Sequence, residues 1–463
     1  MILLERLGDA IWNPWLLGLF LLVGLYYSLR TGFFQLFGCP IWLKTTLGSL
    51  FHRPKAGKSR GITQTQALAT ALASTIGTGS IAGVASAIFY GGPGAVFWMW
   101  ISAFLGMMTG CAEKILAVRY HRPSPEGGWE GGPIEYITNG LGTKPLALTF
   151  ALCCTGAALI GGGMVQANSI ATATEAAFGV PRIAAGVGVA VLTGTVILGG
   201  IGRIGKVSER LVPVMALMFL TGGILVIICH AEALPAVLGR IFTAAFTPKS
   251  AFGGTLGYGI GKAMRYGIAR GVFTNEAGLG SSAIAHAAAD VKEPAEEGMW
   301  GIFEVFVATL LVCTVTALVI LTTGVYDEGA ALLALETGTA TDGMAGAPLS
   351  SAAFATVLGR LGGPFVSMCL FLFAFSSLIG WSYYGERGLT ALTGSHRAVP
   401  LFRMTFLVFI VAGSVWKLNT VWQIADICNG LMALPNLLTL LLLSPEALSI
   451  LNKWLQKQSR RAP

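Results

Sequence analysis

The sequence predicts an all-α integral membrane protein of about eleven transmembrane helices, with one extra N-terminal helix before two five-helix halves in inverted repeat. Charged residues make up 11% of the chain and hydrophobic residues 54%, whereas soluble domains carry roughly 25% charged residues. Apolar stretches of about 18 or more residues, each able to cross roughly 30 Å of hydrocarbon, recur along the whole length. Two of these stretches carry the same glycine motif, and this motif defines the two halves.

The extra first span is predicted at residues 14–30, followed by a basic segment with an expected interfacial stretch at 33–51. The other ten spans are predicted at about 64–90, 94–119, 145–178, 183–200, 208–230, 258–289, 299–323, 365–384, 402–415 and 421–443. Pro and Gly between 123 and 133 indicate a loop, and an acidic loop carrying Asp327, Glu328, Glu336 and Asp342 follows the eighth span. The predicted units are therefore 1–60, the two halves 61–245 and 246–443, and a short basic tail at 444–463.

The glycine motif interrupts the second and the seventh span. Residues 77–82 (GTGSIA) and 278–283 (GLGSSA) both read G-x-G-S-x-A, about 200 residues apart. Each half then holds five spans, an odd number, so the second half must enter the membrane from the opposite side. Interrupted helices at matching positions of inverted halves indicate the binding site of a secondary transporter. Two alternatives are close helix packing through small residues and a dinucleotide fingerprint, but the second lacks a preceding strand.

A broken helix offers charge complementarity to a ligand. The half-helix N-terminus presents free N–H groups and the positive end of its dipole, which suit a carboxylate. The half-helix C-terminus presents free carbonyl groups, which suit a bare cation. An amino-acid zwitterion together with Na+ fits both ends.

The net charge of +8 does not indicate nucleic-acid binding, because the basic residues gather in alternate loops rather than on one face. This distribution predicts an outer N-terminus and a cytoplasmic C-terminus. The basic loop residues are Lys44, Arg53, Lys55, Lys58, Arg60, Arg119, Arg122, Lys144, Arg203, Lys206, Arg210, Arg387, Arg397, Arg403, Lys453, Lys457, Arg460 and Arg461. Lys262, Arg265 and Arg270 fit this pattern less well, since they precede the seventh span on its outer side. Most of the eight cysteines lie within spans, which indicates packing residues rather than disulfides.

Three long motifs carry a family resemblance. They are 65–85 (TQALATALASTIGTGSIAGVA), 271–281 (GVFTNEAGLGS) and 426–436 (DICNGLMALPN). With these motifs the chain resembles the alanine or glycine:cation symporter family over nearly its whole length. The resemblance implies a leucine-transporter-type fold that carries small neutral amino acids with Na+. At position 80 this chain has Ser where Asn is common in the family.

The resemblance places the substrate between the two broken helices. In this chain that region comprises Thr78, Gly79 and the backbone from Phe273 to Gly278. It also favours Gln166 and Asn168, after the triplet 161–163 (GGG), as groups that hold the amino or carboxylate group of the substrate. Helix-to-helix hydrogen bonding is the alternative role for both side chains. Because they are two residues apart, both reach one ligand only if the glycine triplet loosens the helix.

The leucine-transporter-type arrangement also implies a sodium site where the ninth span meets the first break. Its expected ligands are the carbonyl groups of Ala73 and Ile76 with the hydroxyls of Ser376 and Ser377, since hard cations prefer oxygen. The serines could instead bond to the preceding turn of their own helix. Ser377 is expected to contact the substrate as well. Trp381, one turn later, is expected to cap the substrate pocket, with an interfacial anchor as the alternative role.

Charged residues at membrane depth are candidates for function. Glu276, Glu304, Asp426 and His286 are expected to pair with Arg270, to stabilise an open helix end, or to relay a proton. Glu113 and Lys114 are expected near the inner interface in a structural role.

The sequence thus predicts a secondary active transporter, not an enzyme, that imports glycine or alanine, the latter as the L- or the D-enantiomer, by Na+ symport through alternating access. The alternative is a proton-coupled or glutamine-preferring amino acid transporter of the same fold. A channel would need rings of like residues, and an enzyme would need convergent catalytic side chains, whereas the five histidines are scattered. The expected partners are a small amino acid and the bilayer of a bacterial cytoplasmic membrane. We expect a monomeric functional unit with Na+ as coupling ion, no cofactor and no nucleic acid.

Overall fold

The computed structural model describes residues 2–50, 61–125, 127–247, 258–337, 339 and 345–460. Some residues of the predicted loops and tail lie outside the described residues, namely Arg53, Lys55, Lys58, Arg60, Asp342 and Arg461.

The N-terminal region forms four helices: α1 (Ile2–Ile11), α2 (Pro14–Arg30), α3 (Phe34–Phe37) and α4 (Cys39–Leu50). The predicted first span is α2, which begins at Pro14 because the Asn13 side chain accepts hydrogen bonds from the free amides of Trp15 and Leu16. The expected interfacial stretch folds into α3 and α4. Trp42 of α4 is buried against Phe306, with 5.8 Å between ring centroids.

The second to sixth predicted spans are helical, and the second is divided. The helices here are α5 (Gln64–Thr75), α6 (Ala82–Gly91), α7 (Gly94–Arg119), α8 (Pro133–Glu135), α9 (Lys144–Ala157), α10 (Gln166–Phe178), α11 (Arg182–Ile197), α12 (Gly200–Cys229) and α13 (Leu234–Phe246). A π-helical segment, Ala158–Val165, joins α9 to α10. The sixth span begins at Gly200, eight residues before the predicted start, because Gly200 takes a positive φ of 62° and only a short turn separates it from α11.

The seventh to eleventh predicted spans are also helical, and the seventh is divided. The helices here are α14 (Tyr258–Asn275), α15 (Ser281–His286), α16 (Pro294–Val305), α17 (Thr314–Thr322), α18 (Glu328–Glu336), α19 (Ala347–Leu358), α20 (Gly362–Thr393), α21 (Val399–Val415), α22 (Leu418–Leu442) and α23 (Ser444–Ser459). The π-helical segment Phe306–Cys313 joins α16 to α17.

Two predicted loops contain regular structure. In the acidic loop, the Asp327 side chain accepts a hydrogen bond from the Ala330 amide and so begins α18. In the Pro- and Gly-rich loop, β1 (Arg122–Pro123) pairs antiparallel with β2 (Trp129–Glu130). Both elements depend on local turn and capping contacts rather than on a long apolar pattern. A prediction from apolar stretches therefore does not include them.

Seven helices or joined helices of the described residues are long and apolar enough to cross a membrane, and shorter apolar helices occupy the first and fifth spans. The outer helices expose large apolar side chains, among them Leu217 on α12 and Val408 on α21. By contrast, α7 and the joined α16 and α17 are mostly buried inside the bundle. Large exposed apolar faces are stable in lipid and not in water. The broken second and seventh spans thus lie in the protein interior, where an opened backbone can be satisfied.

Candidate functional site

The first break lies between α5 and α6. The Ile76 amide still donates to the Leu72 carbonyl, and one 3₁₀ turn, Thr78–Ser80, then separates the two helices. Ile76 and Gly79 are both buried. The helix is thus interrupted at the GTGS motif, as predicted from the sequence.

The second break lies between α14 and α15 and holds unusual backbone angles. Gly278 and Gly280 take positive φ values of 91° and 78°, and Glu276 takes a φ of 55°. Gly adopts such angles freely, whereas a residue with a Cβ loses about 1–2 kcal/mol there. Strained residues of this kind cluster at functional sites.

A small cavity lies between the two breaks. It is lined by Ser74, Thr75, Gly77, Gly79, Gly161, Gln166, Phe273, Glu276, Trp381 and Asn429. These residues come from both broken helices, from the π-helical segment and α10, from α20 and from α22. Four residues predicted for the substrate site are therefore in one lining: Gly79, Gln166, Phe273 and Trp381.

The structure places the other predicted substrate residues beside this lining or away from it. The Thr78 amide donates to Gln166 Oε1 at 3.2 Å, directly behind the lining. Ser377 Oγ donates to the Ser74 carbonyl at 2.9 Å, also adjacent. Gly278 is outside the lining, because its amide donates to Glu113 Oε1 at 2.9 Å.

Asn168 is also outside the lining. Its side-chain amide donates at 2.7 Å to the carbonyls of Gly413 and Trp416 and so ties α10 to the end of α21. The helix is π-helical at the glycine triplet, but of the two side chains only Gln166 lines the cavity.

Sequence reasoning missed Asn429 and the small residues Ser74, Gly77 and Gly161. Gly77 and Gly161 leave space at the cavity wall because they lack side chains. A Cβ on Gly77 would lie 3.0 Å from Ser377 Oγ. A signal existed for Asn429, since it is a polar residue within an apolar span and part of the 426–436 motif.

The predicted sodium ligands Ala73, Ser376 and Ser377 lie where α20 crosses the end of α5. Ser376 Oγ lies 3.0 Å from the Ala73 carbonyl oxygen and 2.8 Å from that of Phe373. Gly380 permits this crossing, because a Cβ there would lie 2.1 Å from Ser74 Oγ. The hydroxyls and carbonyl groups concerned are thus buried together beside the cavity.

A buried ionic network lies under the second break and links it to α7 and α16. Lys114 Nζ lies 3.0 Å from Glu304 Oε2 and donates to Ser282 Oγ at 2.7 Å. His286 Nδ1 contacts Glu297 Oε1 at 2.6 Å, and its Nε2 contacts Glu304 Oε2 at 3.2 Å. Glu113 and Lys114, for which a structural role is expected, are both fully buried in the bundle. The Gly278 amide of the break donates to Glu113, whereas Lys114 contacts side chains of α15 and α16.

The break itself is held by side chains of α7, α15 and α22. Ser281 Oγ donates to Glu276 Oε2 at 2.5 Å. Asn436 Nδ2 donates to the Gly278 carbonyl at 2.9 Å and to Glu113 Oε1 at 2.7 Å. These bonds satisfy the opened backbone, as a helix broken inside protein requires.

An ion pair lies toward each end of the bundle. We name the end with residues 120–143, 287–293 and 394–398 the basic end. On the opposite side of the cavity, Arg270 Nη2 lies 3.1 Å from Asp426 Oδ2, and its guanidinium carbon lies 4.6 Å from the Trp422 ring centroid. The predicted pairing of Asp426 with Arg270 is present.

At the basic end, the β1–β2 hairpin contacts several spans. Glu130 Oε2 of β2 lies 2.6 Å from Arg387 Nη1 of α20, and Trp129 Nε1 donates to Asp290 Oδ1 at 3.2 Å. The His121 ring stacks on Trp129 with 4.2 Å between centroids. Burial lowers the pKa of His121, so the ring is neutral at pH 7 and contributes stacking rather than charge.

Comparison with known proteins adds the following. The family model described as "Sodium:alanine symporter family" matches residues 2–462. The sodium/alanine symporter AgcS of Methanococcus maripaludis is 40% identical over 96% of this chain and 94% of its own length. A protein of Bacillus subtilis named as a probable sodium/glutamine symporter, GlnT, is 34% identical over 98% of this chain and 91% of its own length.

Among solved structures, MhsT in complex with L-phenylalanine superposes with a TM-score of 0.57 at 13% identity. The match covers 86% of this chain and 93% of MhsT. At this identity the similarity is evidence for the fold alone, and it confirms the predicted leucine-transporter-type arrangement of helices.

Proposed function

The chain belongs to the sodium:alanine symporter family, a family of sodium-coupled transporters and not of enzymes, and from that premise we propose that it imports alanine or glycine by Na+ symport through alternating access. The observation that carries the proposal is the cavity enclosed between two broken helices. It is small, and Trp381 and Phe273 bound it with apolar rings. A pocket of this kind suits a zwitterion with a small side chain.

The amino acid would be bound by its two charged groups. Free backbone groups at the first break, around Gly79, suit its carboxylate. Gln166 Oε1 orients this turn by accepting from the Thr78 amide. Glu276, which also lines the cavity, suits the ammonium group.

The Na+ would be held by Ala73, Ile76, Ser376 and Ser377. In support, the Ser376 and Ser377 hydroxyls lie within 3.0 Å of the carbonyl oxygens of Ala73 and Ser74. Uncharged oxygen ligands suit a hard monovalent cation. Because Ser74 also lines the cavity, occupation by Na+ would fix the wall that the amino acid contacts.

Alternating access is supported by closure on both sides of the cavity. The Arg270–Asp426 pair closes one side, and the Glu130–Arg387 pair closes the basic end. Transport would require these pairs to open in turn. We further propose that the halves 61–245 and 246–443 are the inverted repeats, that the basic end faces the cytoplasm of a bacterial cell, and that one chain is the functional unit.

The alternative function, a proton-coupled or glutamine-preferring transporter, has two supports. One relative bears the name of a sodium/glutamine symporter, and the buried carboxylates Glu276 and Glu304 are able to bind protons. The Na+ proposal is favoured, because the hydroxyl and carbonyl oxygens beside the first break need no proton to bind a cation.

Uptake into proteoliposomes tests the proposal. Labelled alanine, glycine and glutamine are offered under an inward Na+ gradient, a K+ gradient or a pH gradient. Accumulation of alanine or glycine with Na+ alone is expected. Accumulation driven only by the pH gradient would shift the coupling ion to H+, and glutamine alone accumulating would replace the substrate.

A further inference from the structure

Asn429 of α22 is a polar residue of the cavity lining. Its side chain is 1% exposed and faces the cavity. Its carbonyl oxygen Oδ1 has no hydrogen-bond partner among the residues that the structure describes. Buried polar atoms are nearly always paired, so an unpaired oxygen at a cavity wall indicates that the ligand supplies the donor.

The amide nitrogen of Asn429 lies beside Gly161. A Cβ on Gly161 would lie 3.5 Å from Ala425 Cβ and 3.8 Å from Asn429 Nδ2. The amide nitrogen is therefore next to the π-helical segment, where the absence of a side chain on Gly161 leaves room for it. The oxygen is the buried atom without a partner among the described residues, and a donor group on a ligand would satisfy it.

The chemistry of the free atom selects one group of an amino acid. A side-chain carbonyl oxygen only accepts hydrogen bonds, and so does the carboxylate of the substrate. The α-ammonium group donates three, and the methyl or hydrogen side chain of alanine or glycine donates none. The Glu276 carboxylate is in the same lining, with Oε2 accepting from Ser281, and supplies the opposite charge.

We propose that Asn429 Oδ1 accepts a hydrogen bond from the α-ammonium group of the transported amino acid, alongside the charge of Glu276. The inference rests on the proposed amino-acid cavity and adds a specificity-determining residue to it. Asn429 thereby selects α-amino acids over α-hydroxy acids of the same shape, such as alanine over lactate. Discrimination of this kind arises because a site built for an N–H donor is left unpaired by the analogue.

Equilibrium binding to the purified full-length protein in saturating Na+ tests this role. The ligands are alanine, glycine and glutamine, with lactate as competitor. Asn429→Leu keeps the shape and removes the acceptor, and Asn429→Asp keeps an acceptor and removes the N–H donors. Thr193→Val is the matched control, because Thr193 is also a buried residue with an unpaired side-chain oxygen but is not in the lining.

Asn429→Leu is expected to weaken amino-acid binding about tenfold to a hundredfold, the range for one hydrogen bond to a charged group. The preference for alanine over lactate should shrink by a similar factor. Asn429→Asp should stay within about threefold of the unsubstituted protein, and Thr193→Val should bind normally. The Tm without ligand should not fall in Asn429→Leu, since the lost oxygen makes no bond in the fold. Asn429→Ala gives the same comparison if the leucine variant does not fold.

Unchanged binding in Asn429→Leu would overturn the inference. An equal loss in Asn429→Asp would also overturn it, because the amide N–H would then be the group that binds. If the unsubstituted protein binds only glutamine, the proposed substrate fails while the role of Asn429 is still tested, because the ammonium group is common to all three ligands. Binding of none of them would contradict both.

Discussion

Gly79 is the position where an added methyl group should matter most. A Cβ there would lie 3.0 Å from Phe273 Cδ1 and 3.4 Å from Thr274 Oγ1. On Gly83, four residues later, a Cβ would meet only Arg270 Cδ at 3.9 Å. We expect Gly79→Leu to abolish alanine uptake by filling the cavity, and Gly79→Ala to lower it. The matched control Gly83→Ala should transport normally, since Ala favours a helix by about 1 kcal/mol over Gly. Full transport by Gly79→Leu would remove Gly79 from the site.

Trp381 sets the size of the cavity by direct packing. Its ring stands edge-on to Tyr384 at 5.4 Å between centroids, and a Cβ on Gly162 would lie 2.3 Å from Trp381 Cβ. Replacing a buried Trp by Ala leaves a large void. Trp381→Ala should therefore weaken alanine binding and admit larger neutral amino acids, measured as competition by leucine or phenylalanine against labelled alanine. A substrate profile identical to that of the unsubstituted protein would exclude Trp381 as the cap.

Among single residues, the sequence could indicate those that lie at the helix breaks and those to which the family resemblance points. Gly79 and Phe273 follow from the breaks, and Gln166 and Trp381 follow from the resemblance. The position of Asn168 outside the cavity could not be predicted. Gln166 and Asn168 are two residues apart on a helix and point in directions about 200° apart, and only tertiary packing decides which of them faces the cavity. Asn429 is a polar residue in an apolar span, which is a signal, but it lies far beyond the second break in sequence, and the sequence does not show that α22 passes the cavity.

Between elements, Lys114 is the connection whose loss should cost most. It joins α7 to α16 through Glu304 and to α15 through Ser282. Removing one partner of a buried ion pair leaves an uncompensated charge and typically costs about 3–5 kcal/mol. Lys114→Met should lower the Tm strongly, whereas Lys144→Met, at an exposed position at the start of α9, should leave it unchanged. Equal Tm values for the two variants would show that the network does not stabilise the break.

The elements themselves were largely predictable, because a lipid-spanning helix needs a long apolar stretch and Gly or Pro marks where it opens. The break at Glu276 was found from its flanking glycines. The β1–β2 hairpin and α18 were not found, since both depend on a few capping and turn contacts such as Asp327 with the Ala330 amide. The interior position of Lys114 was also missed, because its partners come from α15 and α16, far along the chain.

For the whole molecule, composition and apolar stretches determined the fold class, and the comparisons confirmed it. The relation between the two halves stays a prediction. The sequence indicated the pairing of Arg270 with Asp426, but no sequence pattern could supply the pairing of Glu130 with Arg387 at the other end of the bundle. Both pairs join residues distant in sequence, and the proposed alternating access requires them to open in turn.

The central claim is that one cavity couples Na+ to the amino acid through the first break. Equilibrium binding of labelled alanine with and without Na+, in the unsubstituted protein and in a Ser376→Ala, Ser377→Ala double variant, tests it most directly. The account predicts that Na+ tightens alanine binding at least about tenfold, that alanine tightens Na+ binding by the same factor because linkage is reciprocal, and that the double variant loses most of this coupling. Equal alanine affinity with and without Na+ in the unsubstituted protein would contradict the account.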